Sequence, residues 1–303
     1  MKPETHPFPL FRLIAASLLV FSFHAVVDAS DRIKIVLVAG SIKKADRPGH
    51  HDYTGGCRLL KNLLEQNSGV TAILVKGGWP KDETVFENAN SIVFYSDGAG
   101  KQAYLQTPQR VALIQKRVDQ GVGIVNIHQA VEFPPQYVRQ SVEWTGGFYS
   151  RALSGRGHWD SAHESFPDHP VTNGVTPWKI KDGWLNRIQF PGGMKGITPL
   201  VWSGKQHQGS PAGGDPDIVA WVYQRKKGGR SFSFSGLDAH SAWEKTGMRQ
   251  LLVNGILWSA GVEIPAKGAN CTANKDLIHS FQTPREPPAQ PEKKKPKHPT
   301  AAR

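Results

Sequence analysis

Gly121-Val122-Gly123-Ile124-Val125-Asn126-Ile127-His128-Gln129 reads as a buried strand, Val122 to Ile127, that stops on a histidine. The apolar run is too short for a helix and is bracketed by glycines, which marks a central strand of a parallel sheet. In open α/β sheets, ligands bind in the crevice beyond the carboxyl ends of the strands. A histidine at that point is placed for proton transfer or metal binding, because its unperturbed pKa lies nearest neutrality. Two further imidazoles, His50 and His51, follow the first predicted strand and open on the same edge.

Outward from this stretch, the first half alternates strands with helices. Ile33 to Ala39 is an apolar strand interrupted by Lys34, and a loop from Gly40 to Tyr53 follows it. A helix from about Thr54 to Gln66 puts Leu59, Leu60, Leu63 and Leu64 on one face. Val70 to Val75 and Ser91 to Tyr95 are the next strands, the latter ending in Ser96-Asp97-Gly98. Pro108 opens a helix whose Val111, Ile114 and Val118 keep helical spacing. This order predicts right-handed crossovers and a doubly wound, mostly parallel sheet.

The second half is less regular and carries β-rich excursions. Gly146 to His163 is an extended excursion over the sheet edge, and Asp168 to Gly174 has turn chemistry. Thr198 to Trp202, Ile218 to Tyr223 and Ser231 to Ser235 read as strands, the last two joined by a hairpin at Lys226 to Arg230. A final helix spans about Lys245 to Ala260.

Both ends stand apart from the domain. Residues 1–29 carry Lys2 and Arg12, an apolar run from Leu13 to Val27, and a small residue at Ala29, the pattern of a secretory signal peptide. The run is too short to span a bilayer comfortably, so no stable membrane span is expected after cleavage, and the chain is placed in the periplasm or secreted. Residues 30–266 form the domain, and 267–303 a C-terminal extension. From about residue 285 the extension is built of Pro, Lys, Ala, Gln and Glu and is expected to be disordered.

The formal charge of +12 is partly a property of the tail, which has six Lys/Arg against two Glu. No helix concentrates Lys and Arg with interleaved aromatics, so nucleic acid is excluded as a partner. The cysteines, Cys57 and Cys271, define no disulfide framework and lack zinc spacing, and Cys57 reads as a buried thiol. The segment Gly209 to Gly214 has no Lys-Ser/Thr after it and is a loop rather than a phosphate cradle.

Nine of the twelve histidines lie between residues 30 and 284, several of them where strands end. His50, His51 and Asp52 follow the first strand, Asp97 the third and His128 the fourth; His240 follows the late strand in Gly236-Leu237-Asp238-Ala239-His240. His158-Trp159 lies in the excursion and is expected to fold back over the crevice.

Gly121 to His128, the loop Gly49-His50-His51-Asp52-Tyr53 and the turn Tyr95-Ser96-Asp97-Gly98 resemble the trehalose-utilisation (ThuA-like) family. Asp168-His169-Pro170-Val171-Thr172 and Leu252-Val253-Asn254-Gly255-Ile256-Leu257-Trp258 extend the likeness across Ile33 to Pro265. The resemblance implies a class I glutamine amidotransferase-like, flavodoxin-like fold. Those enzymes carry a nucleophilic cysteine at the strand-to-helix elbow where this chain has His128, which argues against glutaminase chemistry.

Similar proteins are associated with bacterial use of disaccharides, notably oxidised (3-keto) trehalose-type sugars. The carry-over picks out His51, Asp97, His128, His158 and His240, read here as catalytic; Asp52, Trp159, Asp182 and Trp184 are expected on the substrate. Two departures stand out. The family often has a histidine where this chain has Ile42-Lys43-Lys44, and an Asp-Glu-aromatic element where it has Asp182-Gly183-Trp184.

Two chemistries fit the imidazoles. In one, His128 or His51 is a general base on a sugar hydroxyl or on carbon beside a ketone, His158 or His240 donates the proton, and Asp97 orients a ring. In the other, three of His51, His128, His158 and His240 hold zinc or another divalent ion. Trp144, Trp159, Trp184, Trp202 and Trp243 are read as falling near the rim, where flat aromatic faces suit sugars. The expected partner is a small carbohydrate, and self-association into a homo-oligomer stays open. A sugar-binding module with the same pocket and no turnover is the alternative, favoured by the missing acidic side chain at Gly183.

The strand reading also makes a geometric demand. His51 and His128 should face one pocket within roughly 10 Å, since neighbouring strands lie about 4.8 Å apart.

Overall fold

The computed structural model describes residues 32–43, 46–204 and 217–285. The signal-peptide reading, the Gly209 to Gly214 loop and the tail beyond Arg285 lie outside these residues.

Four parallel strands carry the site. They are β1 (Ile33–Ala39), β3 (Ser91–Tyr95), β4 (Gly123–Ile127) and β9 (Arg230–Phe234), with β2 (Val70–Val75) outside β1. The seven-stranded sheet has the order β2-β1-β3-β4-β9-β8-β7, where β7 is Ile197–Trp202 and β8 is Ile218–Gln224. The first five strands in this order are parallel, and β8 and β7 add on antiparallel. The doubly wound reading of the first half is the observed architecture, and the irregular half supplies an antiparallel edge.

Side-chain alternation along each strand divides the core into two layers. Ile35, Leu37 and Ala39 of β1 face one layer, with Val93 and Tyr95 of β3 and Val125 and Ile127 of β4. This layer is covered by α1 (Tyr53–Leu64) and α4 (Thr246–Ser259). Val36, Val38, Ile92, Phe94 and Ile124 face the other layer, beneath α2 (Pro108–Asp119) and α3 (Val138–Thr145). The alternating layers explain why these strands read as unbroken apolar runs: both faces are buried. Helix α3 was not legible in advance.

The excursion becomes β5 (Gly155–His163), paired antiparallel with β6 (Trp178–Asn186) in a separate two-stranded sheet. Residues 267–285 do not hang free. Ala269, Cys271 and Ile278 are buried, the last on α5 (Lys275–Ser280), and the Thr283 amide donates to Asp52 Oδ2 at 2.7 Å. The domain therefore runs well past residue 266. Cys57 and Cys271 are both free and buried, and burial pushes both thiols up. Among the described residues, no helix is long and apolar enough to cross a membrane.

His163, at the end of β5, is buried against Trp178 and Trp184, with ring centroids 4.6 and 5.5 Å away. Burial pushes it down to about 4 from the ordinary 6.5. Between these values the unfolded chain binds a proton that the folded one refuses, so stability falls as pH drops through this window. A His163→Phe variant keeps the packing without the proton site. Urea unfolding from pH 6.5 to pH 4 should cost the parent chain up to about 3 kcal/mol more than the variant. Parallel curves for the two proteins would contradict this.

Candidate active site at the carboxyl edge of the sheet

The centre of the site is a carboxylate, Asp238, in the turn after β9. Its Oδ2 lies 2.9 Å from His50 Nδ1 and 2.8 Å from His158 Nε2. Its Oδ1 lies 2.8 Å from His51 Nε2 and 3.5 Å from His128 Nε2. Four imidazoles, from the loop after β1, the end of β4 and the β5–β6 hairpin, thus meet one buried acid. The rings of His51 and His128 have centroids 5.2 Å apart, so the geometric demand of the strand reading is met.

The sequence forces this convergence locally. His128 ends β4 and starts a short 3-10 helix with φ of 60°, and His51 has φ of 48° in the loop after β1. Leu237, directly before Asp238, has φ of 73°. Left-handed backbone is costly for a branched residue such as leucine, and it gathers at sites where the surroundings hold a side chain in place.

The Asp238 turn is held from several sides. Asp182 Oδ2 accepts from the Leu237 amide at 2.6 Å, and its Oδ1 from the amides of Asp238 at 3.0 Å and Gly183 at 2.9 Å. Tyr95 Oη donates to the Leu237 carbonyl at 2.6 Å, and the His51 amide to the Asp238 carbonyl at 2.9 Å.

Electrostatics follow the burial. Burial alone would raise the Asp238 carboxyl, but the bonds from His51, His158 and His50 hold it well below the carboxylate range. Burial pushes His128 down to about 4, against Asp238, so its ring is neutral at neutral pH. His51 goes the other way: desolvation opposes its charge, yet the bond and charge of Asp238, with Asp46 and Asp97 behind, raise it. Asp182 is pushed up to about 6 by burial, with the amides of Leu237 and Gly183 pulling against that shift.

Asp97 divides the site from a neighbouring cavity. Its Oδ1 accepts from Tyr53 Oη at 2.7 Å and faces His51 Nδ1 at 3.7 Å. Its Oδ2 pairs with Lys43 and faces Lys101 Nζ at 3.9 Å. Lys43 therefore stands as a cation on Asp97. The cavity beyond, about 150 Å³, is lined among others by Ser41, Lys43, Ser96, Lys101 and Tyr104.

Several expected site residues lie elsewhere. His240 is turned away: its Nε2 is 2.8 Å from the Ile278 carbonyl and its Nδ1 3.5 Å from Asp52, so it ties α5 to the domain. Asp52 caps α1 through the Gly55 amide at 3.0 Å and receives the Thr283 amide, which leaves it no free face for a substrate. Asp182 is buried under the Asp238 turn and acts on the site through backbone alone. Trp184 is core, packed edge-on to Phe234, and Trp144 and Trp243 are fully buried too, so none is a sugar platform. Trp159 packs against the main core, on the strand face opposite its neighbour His158. His51, His128, His158 and Asp97 are where the sequence reading put them. His50, read as opening on this edge, was not picked among the site residues, and Asp238, Lys43 and Tyr53 were missed.

A family model described as ThuA, trehalose utilisation, matches residues 37–259, and the chain belongs to that family. A ThuA-like protein from Parabacteroides merdae is similar at 17% identity, over 84% of this chain and 100% of its own, with a TM-score of 0.55. A ThuA-like protein from Bacteroides uniformis is similar at 14% identity, over 75% of this chain and 91% of its own, with a TM-score of 0.56. A GMP synthase protein from Thermoplasma acidophilum has a TM-score of 0.44 at 12% identity, over 76% of this chain and 95% of its own. No curated protein matches the chain.

The geometry gives Asp182 a structural task that can be measured. Asp182→Ala would strand the buried amides of Leu237 and Asp238, each costing about 1–3 kcal/mol. Urea unfolding should show a loss of about 2–5 kcal/mol. A loss below about 0.5 kcal/mol, the range of neutral surface changes, would show that the turn holds itself.

Proposed function

We propose that this chain is an exported carbohydrate-active enzyme that moves a proton on an oxidised (keto) disaccharide or related sugar. The observation that carries the reading is the convergence of His50, His51, His128 and His158 on Asp238 at the carboxyl edge of the sheet. His158 is the most exposed of the four, its side chain 59% exposed against 36% for His50, with its Nε2 held by Asp238. It is the group assigned to exchange a proton with bound sugar. His128, buried, and His51, partly exposed, form the floor beneath it and are assigned to a sugar oxygen. The cavity beyond Asp97, lined by Val38, Phe94 and Ala103 as well as by Ser41, Lys43 and Lys101, is the space assigned to a second sugar ring. Membership in the trehalose-utilisation family supports the substrate class. Glutaminase chemistry is not proposed, because the elbow residue is His128 and the Cys57 thiol is buried and raised. Export rests on residues 1–29, and a mature chain starting near Ser30 is its mark.

One observation favours a second reading, a sugar-binding module without turnover. A side chain at Gly183 would stand with its Cβ 2.9 Å from Asp238 Cβ and 3.1 Å from His158 Nε2. The acidic residue that similar proteins often carry there would reach into the site, and here it is missing.

Both readings are tested with 3-keto-trehalose in deuterated buffer, following exchange of the proton beside the ketone and loss of the sugar by NMR. The enzyme reading expects exchange or turnover, lowered about 10²–10⁴-fold in His158→Ala with sugar affinity kept. Binding without exchange in the parent chain selects the module. Unchanged turnover in His158→Ala removes that residue from the mechanism.

A further inference from the structure

We propose that His51, His128 and Asp238 together bind one divalent transition-metal ion of the zinc class. The inference rests on the proposed site but not on its substrate.

The three ligand atoms, two imidazole nitrogens and a carboxylate oxygen, all lie within 4.8 Å of one another. A tetrahedral ion with bonds near 2.0–2.1 Å holds its ligands about 3.3 Å apart. The separations of Asp238 Oδ1 from His51 Nε2 and His128 Nε2, 2.8 and 3.5 Å, bracket that value.

Hydrogen bonding alone does not explain the arrangement. His128 is 2% exposed, and its Nε2 points at Asp238 Oδ1 while making no hydrogen bond. A buried polar nitrogen left in this way is costly unless something binds it. His51 already satisfies Oδ1, and His50 with His158 satisfies Oδ2. A second imidazole on Oδ1, at 3.5 Å and without a hydrogen bond, is not needed to satisfy that oxygen. It adds a third ligand to a cation.

The far nitrogen of His51 supports the same conclusion. Metal-bound histidines turn the other ring nitrogen to a carboxylate or carbonyl, which orients the ring. His51 Nδ1 faces Asp46 at 3.4 Å and Asp97 at 3.7 Å, and Tyr53 with Lys43 holds Asp97 in turn. Both imidazoles also stand on left-handed backbone, a cost that fixed placement of the rings accounts for.

The donor set selects the ion. Two imidazoles and one carboxylate suit zinc, cobalt, iron or nickel, whereas magnesium and calcium take oxygen ligands. Three protein ligands leave a position open for a substrate oxygen. The outer set, His50, His158 and Asp238, is more exposed, and each of its rings already has a hydrogen-bonded partner.

The test uses the purified full chain without a polyhistidine tag, stripped with chelator and titrated with zinc by calorimetry and with cobalt by visible absorption. One ion per chain is expected, with the d–d bands of imidazole-ligated cobalt. His128→Ala and Asp238→Asn should each weaken binding by about 100-fold or more, while His279→Ala, on the exposed Glu244 pair, leaves it unchanged. Should Asp238→Asn fail to fold, His128→Gln carries the test alone. Absence of stoichiometric binding overturns the proposal, as does binding that His128→Ala does not weaken. Keto-sugar turnover is read separately. Ion binding without turnover defeats only the proposed function, and full turnover in a chain that binds no ion defeats only the metal site.

Discussion

One buried negative charge organises this molecule. Asp238 is 3% exposed, and an isolated carboxylate at that depth would protonate or refuse to fold. It remains charged because four imidazoles, from the loop after β1, the end of β4 and the β5–β6 hairpin, surround it. The same contacts make the carboxyl edge a functional surface, since they bring groups that can carry protons or ligate a cation within a few ångströms of one another. Removing one partner leaves charge uncompensated, so structure and chemistry here are not separable.

The constraint propagates into the fold. To present its side chain, Asp238 requires the turn after β9 to bend through left-handed Leu237, and that turn is held by the buried Asp182 below and by Tyr95 of β3 beside it. Asp182 sits on β6, so the two-stranded excursion is fastened to the main sheet at the residue beneath the site. Its partner strand delivers His158 opposite Gly183, where the absence of a side chain leaves room for the imidazole. The C-terminal segment closes the other flank: the Ile278 carbonyl lies against His240 and the Thr283 amide against Asp52, the cap of α1.

Much of this was legible in the chain, because burial on both faces writes itself as unbroken apolar runs. The strands β1 to β4 could be read that way, and a parallel order places their ends together, which located His51, Asp97 and His128. The centre of the site was harder. In Gly236-Leu237-Asp238-Ala239-His240 the imidazole drew the assignment, but the turn directs Asp238 into the crevice and carries His240 on to α5. A carboxylate that organises histidines has no signature of its own in sequence. The tryptophans misled for a related reason: an amphipathic ring suits a sugar platform and a core equally, and burial of Trp144, Trp184 and Trp243 depends on which helices cover them.

The most direct measurement of the central claim is the ring-nitrogen NMR spectrum of the histidines, compared between the parent chain and Asp238→Asn. The variant keeps the shape and removes the charge. If Asp238 gathers the four imidazoles, the ring nitrogens of His50, His51, His128 and His158 shift together while those of His169 and His279 stay in place. A spectrum in which only one of the four responds would contradict a single shared site.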